Sequence, residues 1–319
     1  MLALLIAAAA AQPPNLDQLK KAANGGDAEA QYNLAVIYDR GQGTPANKVE
    51  AIKWYLKSAG QGFVKAEYNL AIMYDEGDGV AENNAEAIKW YLKASNQGDT
   101  AAQFNLALMY DKGEGTAINK AEAIKWFGKA ADGGDVSAMF NLGLMYDEGD
   151  GVPENNAEAI KWYRKAADKG FAKAQLNLGL MFDEGEGVQE NNAEALKWYR
   201  KAADQGLAKA QFNLALMFEK GEGTATDRKA ALSWYTKAAE QGDTSAQYNL
   251  ALMYEEGDGT PKDVVTAYMW YSLAAQEGDE DAKAAMQALA KRVTTDQVKQ
   301  ADARAKAWRA SHANPRPGF

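Results

Sequence analysis

Apolar residues recur along this chain at helical spacing, in blocks separated by acidic, glycine-bearing stretches. Residues 135–170, DVSAMFNLGLMYDEGDGVPENNAEAIKWYRKAADKG, show the pattern. Ala138, Leu142, Met145 and Tyr146 fall on one stripe of a helix. Phe140 and Leu144 point to the other side, and Gly143 is small enough to allow close helix approach. A helix that is apolar on nearly all faces packs between neighbours rather than lying on a surface. The spacing predicts a second helix from Asn155 to about Asp168. Ala159, Ile160, Trp162, Tyr163, Ala166 and Ala167 supply its apolar contacts, while Lys161, Arg164, Lys165 and Lys169 form a wet, basic side. Gly170 is placed to end it in a left-handed conformation.

The whole block repeats. Seven units of 36 residues run without insertion or deletion over 27–62, 63–98, 99–134, 135–170, 171–206, 207–242 and 243–278. Trp54, Trp90, Trp126, Trp162, Trp198, Trp234 and Trp270 mark the period. A two-helix unit cannot bury both faces alone, whereas a stack of such units can, with each unit touching only its neighbours. Asp27, Asp99, Asp135 and Asp243 follow the unit-ending glycine and are placed to cap the next helix. Phe63, Phe171 and Leu207 cannot cap and are expected to pack at the turn instead.

The loop between the helices, DEGDGVAENNAE at 75–86, has the termini of a calcium-binding EF-hand loop in Asp75 and Glu86. Its inner positions do not fit, because Gly77, Gly79 and Val80 stand where two oxygen ligands and the turn glycine belong. The glycines instead suit a chain reversal at positive φ. Asn83 and Glu86 form an N-x-x-E pattern like a capping box, repeated at Asn47/Glu50, Asn119/Glu122, Asn155/Glu158 and Asn191/Glu194. A phosphate-binding glycine loop is excluded by the helical, acidic flanks.

The motif A-x-x-N-L-[AG]-x-M-Y-D-x-G-x-G-[VT], followed by A-x-K-W-Y-x-K-A-A-x-x-G, resembles the Sel-one-like repeat (SLR), a relative of the tetratricopeptide repeat. The length of 36, the G-x-G between the helices and the Trp-Tyr pair carry the resemblance. It implies an all-α, right-handed α-solenoid, an α-α superhelix that binds other proteins. Such repeats occur in bacterial envelope regulation, secreted virulence factors and eukaryotic quality control.

The ends read as caps. Within an N-terminal half-repeat cap over 12–26, residues 15–26 match only the second helix of a unit, with Gln18 and Leu19 in place of tryptophan and tyrosine. Residues 279–311 form a C-terminal helical cap with Met286 and Leu289 at core places, and a last helix from near Thr295 to Ala310 carries Trp308. Residues 312–319 are expected to be a disordered tail. Leu2 to Ala11 is ten apolar residues, too short to span a bilayer, and resembles the core of a signal peptide over 1–11. That predicts a periplasmic or secreted protein, the alternative being cytoplasmic.

Composition narrows the function. The net charge of −9 argues against a nucleic-acid partner. No cysteine is present, which removes disulfides, zinc-thiolate sites and a lipoprotein anchor. The single histidine, His312, lies in the expected tail, so no nucleophile–base pair is available in the body and no catalytic, cofactor-binding or metal residues are assigned. The expected act is non-catalytic binding of a protein or peptide. Alternatives are a periplasmic regulator acting on an envelope sensor or enzyme and, with less support, a cell-wall or polysaccharide-linked enzyme.

In tetratricopeptide-like arrays the first helices line the concave groove. Here Tyr32, Tyr68, Phe104, Phe140, Leu176, Phe212 and Tyr248 form a ladder on that side, either as anchors for a partner or as packing between repeats. Beside it run Asn33, Asn69, Asn105, Asn141, Asn177, Asn213 and Asn249. Their amides could hold an extended peptide or bond to a neighbouring repeat. Lys65, Lys173 and Lys209 add positive charge opposite an acidic rim of Asp75, Asp147, Asp183 and Glu219.

Overall fold

The computed structural model describes residues 16–312, so the signal-like segment and residues 313–319 lie outside it. Seventeen helices and no strand occur among the described residues. α1 (Leu16–Asn24) precedes seven successive pairs. These are α2 (Ala28–Arg40) and α3 (Lys48–Ala59), α4 (Val64–Glu76) and α5 (Asn84–Asn96), α6 (Thr100–Lys112) and α7 (Lys120–Asp132), and α8 (Val136–Glu148) and α9 (Asn156–Asp168). The series continues with α10 (Ala172–Glu184) and α11 (Asn192–Asp204), α12 (Ala208–Lys220) and α13 (Arg228–Glu240), and α14 (Thr244–Glu256) and α15 (Val264–Gln276). α16 (Glu280–Ala290) and α17 (Thr295–His312) end the series.

The chain divides after Glu154 into two compact units, one holding α1 to α8 and the other α9 to α17. Within each unit, helices pack on their neighbours in sequence, as an α-solenoid requires, and α17 returns onto α15. Each repeat is centred on the aromatic that follows the tryptophan. Tyr55, Tyr91, Tyr163, Tyr199, Tyr235 and Tyr271 are all buried, as is Phe127 in the third repeat. Burial of a side chain this large stabilises the fold by roughly 2–3 kcal/mol. The small residue of the first helix makes room for it: a methyl added at Gly179 would lie 2.6 Å from the Tyr199 ring.

The helix ends follow the sequence closely. Asp27, Asp99, Asp135 and Asp243 each accept a hydrogen bond from the backbone N–H three residues on. Phe63 makes no such bond and packs on Tyr32 with ring centroids 5.2 Å apart. The N-x-x-E pairs are only half of a capping box. Asn47, Asn83 and Asn119 accept from the amides of Glu50, Glu86 and Glu122. Their own N–H groups are taken by the carbonyls of Tyr38, Tyr74 and Tyr110, at 2.7–2.8 Å. The glutamates turn instead to Lys53, Lys89 and Lys125 one helical turn on.

The two loop glycines have different tasks. Gly77 caps α4 in the left-handed conformation, at φ 69°. Gly79, at φ 78°, lies against the first turn of the preceding repeat's second helix, where an added Cβ would come 2.3 Å from the Cβ of Lys48. Gly43 of the first repeat has no preceding full repeat and meets nothing within 4 Å. At the far end, His312 is not in a tail. It closes α17, with its ring stacked 4.2 Å from Trp308, which packs edge-on against Trp270 of α15.

Candidate partner-binding surface

The aromatic ladder is half-buried rather than free. Tyr32, Tyr68 and Phe104 in the first unit pack on Tyr55, Tyr91 and Phe127 of their own repeats at 5.7–6.0 Å. Phe212 and Tyr248 in the second unit pack on Tyr235 and Tyr271 at 5.8 and 5.7 Å. Phe140 and Leu176 are half-buried as well. In Tyr68, Phe104, Phe212 and Tyr248 part of the ring therefore serves the repeat's own helix pair while part stays exposed, and Tyr32 packs on Phe63 of the next repeat as well. Four residues further along each first helix, a second rung of half-exposed aliphatics runs through Ile72, Leu108 and Leu144, and through Leu180, Leu216 and Leu252.

Five of the seven asparagines bond to groups of the framework. Asn69 and Asn105 donate to the hydroxyls of Tyr55 and Tyr91 in the preceding repeat, at 3.1 and 3.2 Å. Asn249 does the same to Tyr235 at 3.4 Å, and Asn213 bonds Tyr199. The exception follows from composition: Phe127 has no hydroxyl, and Asn141 donates back to the Ser137 carbonyl of its own helix at 2.9 Å. Asn177 is half-buried, and only Asn33, which has no full repeat before it, is exposed.

The tyrosine hydroxyls in turn donate to the acidic positions read as a rim. Tyr91 bonds Asp75 at 3.2 Å, Tyr199 bonds Asp183 at 3.1 Å and Tyr235 bonds Glu219 at 2.6 Å. Burial pushes these three hydroxyls far above the ordinary tyrosine range, so they remain donors at any physiological pH. Burial also raises the Asp75 carboxyl, the Tyr91 bond opposing the shift and Glu114 adding to it. Asp75, Asp147, Asp183 and Glu219 are half-buried; the exposed acids beside them include Glu76, Glu148, Glu184 and Glu186. Lys65, Lys173 and Lys209 are exposed near the starts of their helices, with the Lys209 ammonium 4.9 Å from the Phe212 ring. A shallow, open depression of about 580 Å³ is bordered by Leu216, Lys220, Arg228 and Asn249.

A second network joins successive repeats. Lys48 bridges Asp39 of its own repeat and Asp78 of the next loop, both at 2.6 Å. These bonds raise its pKa to about 12. Lys120 bridges Asp111 and Asp150, and Arg228 bridges Glu219 and Asp258. The equivalent residue is asparagine at 84, 156 and 192, and the next loop then carries Glu114, Glu186 and Glu222 rather than aspartate.

The Sel1 repeat model matches seven times, over 28–63, 64–99, 100–135, 136–171, 172–207, 208–243 and 244–279. The chain belongs to the Sel1 repeat family. Among solved structures, this Sel1 repeat protein is similar to a protective antigen of uropathogenic Escherichia coli that displays an SLR fold. The identity is 36% and the TM-score 0.83, over 94% of this chain and 64% of that one. The chain thus spans about two thirds of that antigen's length. A Sel1 repeat protein from Oxalobacter formigenes is 32% identical with a TM-score of 0.74, over 94% of this chain and 87% of that one. No match was found among curated proteins. Sel1 repeats commonly form protein–protein interaction scaffolds and are generally non-catalytic. Among the described residues no helix is long and apolar enough to cross a membrane.

The tyrosine hydroxyl chain and the bridging cations were not found from the sequence. A signal for both was present: Phe127 is the one break in the tyrosine series, and lysine or arginine at 48, 120 and 228 pairs with aspartate 30 residues on.

Proposed function

We propose that this chain is a non-catalytic scaffold that binds a protein or peptide along its first helices. The observation that carries this reading is the pair of apolar rungs left half-exposed after helix pairs such as α4 with α5 and α6 with α7 have packed: an aromatic at Tyr68 or Phe104, and an aliphatic at Ile72 or Leu108. Partly buried rings are rigid, and rigid aromatic anchors lose little entropy when a partner covers them. The asparagines are better read as framework, since their amides hold the tyrosines. Lys65, Lys173 and Lys209 would set the charge preference of a partner. The run Leu2–Ala11 supports export, which places the partner in the envelope or beyond.

The test is affinity capture from an envelope extract. Wild type is run beside Tyr68→Ala/Phe104→Ala/Phe140→Ala and beside Lys65→Glu/Lys173→Glu/Lys209→Glu. The lysines are exposed, so the second variant keeps the fold even if the first loosens it. Both variants are expected to lose the wild-type partners. Recovery of the same partners at equal yield by both would refute a first-helix binding surface.

A further inference from the structure

The second helices of two successive repeats, α9 and α11, carry a cationic arrangement found in no other repeat. The residue two after the tryptophan is Leu56, Leu92, Gly128, Arg164, Arg200, Thr236 and Ser272 in the seven repeats. The guanidinium of Arg164 lies 5.7 Å from the ring of Phe182, and that of Arg200 lies 5.3 Å from the ring of Phe218. The ring position changes with them: it is tyrosine at 38, 74, 110, 146 and 254, and phenylalanine only at 182 and 218. One residue on, Lys165 and Lys201 lie 3.7 and 3.8 Å over Trp162 and Trp198.

All four cations are exposed, and none forms an ion pair among the described residues. The nearby lysines differ, since Lys161 and Lys197 are taken by Glu158 and Glu194. Four charges are thus ordered by rings while their hydrogen-bonding capacity stays free. An ordered guanidinium loses less entropy on meeting an anion, and its fork matches a carboxylate. Beside Arg200 the surface is hollowed into a shallow depression of about 410 Å³, bordered by Leu196, Lys201 and Asp204. Asp168 and Asp204 end the two helices and bound the strip.

The chain carries a net charge of −9, and the exposed acids Glu184, Glu186 and Glu190 belong to the same unit. An extended polyanion, whether a nucleic acid or an anionic membrane, would meet that repulsion. A short acidic segment needs contact only with the cationic strip, whose ends are bounded by Asp168 and Asp204. We propose that Arg164, Lys165, Arg200 and Lys201 form a docking surface for an acidic polypeptide segment, whose carboxylates take the two arginine forks. This surface is on the second helices and is independent of the first-helix ladder.

The probe is fluorescein-labelled decaglutamate, followed by anisotropy at low salt, with the full chain. Wild type is compared with Arg164→Leu/Arg200→Leu, leucine being the residue of the first two repeats at this place. Lys57→Gln/Lys93→Gln removes the same charge from the first unit, where Lys57 and Lys93 lie over Trp54 and Trp90. Arg164→Lys/Arg200→Lys keeps the charge and removes the fork. Thermal melting follows the fold of each variant. The leucine variant is expected to bind about tenfold more weakly or worse, the lysine variant to lose most of that affinity, and the first-unit variant to stay within about twofold of wild type. No binding by wild type, equal loss in the leucine and first-unit variants, or undiminished binding by the lysine variant would each overturn the proposal. So would arginine-dependent binding to vesicles of equal parts phosphatidylglycerol and phosphatidylcholine without binding to the peptide.

Discussion

Glu67 is the one charged side chain that is buried among the described residues, at 3% exposure. Glutamine occupies its place in five of the other repeats, at 31, 103, 175, 211 and 247. Each of those amides donates to a carbonyl eight residues back, at 3.0–3.2 Å. Glu67 keeps the accepting half of that role, taking 2.6 Å from Gln97, but a carboxylate has no proton for Ala59. Burial accordingly raises its pKa. A carboxyl raised in the folded state binds its proton more tightly there than in the unfolded chain. Its penalty is therefore present above the folded pKa and is relieved as pH falls through it. Glu67→Gln is expected to stabilise the protein by about 1–2 kcal/mol at pH 7, a buried hydrogen bond's worth. The gain should shrink towards pH 4, read as the difference between the two urea midpoints at each pH. A gain that does not change with pH would rule out this account. At this scale the sequence was legible only in part. One asparagine on each of seven helices announced a hydrogen-bonded role, but not that the acceptor is a tyrosine of the preceding repeat. The link joins residues 14 apart on different helices, a separation no helical or strand period predicts.

Within a helix pair, the loop rather than the helices is the sensitive part. The G-x-G signature read as two residues needed for reversal, and both glycines do have positive φ. The closeness of the second to another repeat was not legible, because it depends on where stacking places Lys48. Gly43 and Gly79 separate the two contributions. Each loses its left-handed freedom on substitution by alanine, at a cost of about 1 kcal/mol. Only Gly79 also drives a methyl into Lys48, and overpacking of this kind costs a further 1–3 kcal/mol. Gly79→Ala is therefore expected to lower the urea midpoint clearly more than Gly43→Ala. Equal losses would mean that the glycine serves the turn alone. Caps, by contrast, were readable residue by residue, since an aspartate after a glycine satisfies a local amide whatever packs around it. Glutamate at the third helical position was misread for the opposite reason. Its intended partner, the Asn47 N–H, is claimed by a carbonyl of the facing helix.

At the scale of the molecule, a strict period without insertions fixed the fold class, because each unit meets only its neighbours and the sequence states how often. What the period conceals is that its joints are of two kinds. Lysine or arginine meets aspartate at the joints of residues 48 and 78, 120 and 150, and 228 and 258. Asparagine precedes glutamate at 84 and 114, 156 and 186, and 192 and 222. Lys48→Asn and Asp78→Glu are each expected to destabilise by about 1 kcal/mol or less, as half-exposed ion pairs do. Together they recreate the other kind of joint and should cost less than their sum, by roughly 0.5 kcal/mol in a double-mutant cycle. Strict additivity would show that residues 48 and 78 act independently and that matching them does not matter. The distinction reaches back to the gene. Similar 36-residue segments in register invite slippage, and losing one inner repeat joins its two neighbours directly. Removal of the second, third, fourth or sixth repeat sets lysine before glutamate or asparagine before aspartate. Removal of the fifth alone leaves asparagine before glutamate, Asn156 before Glu222, so that a shortened lineage still matched at every joint would be one that had lost residues 171–206.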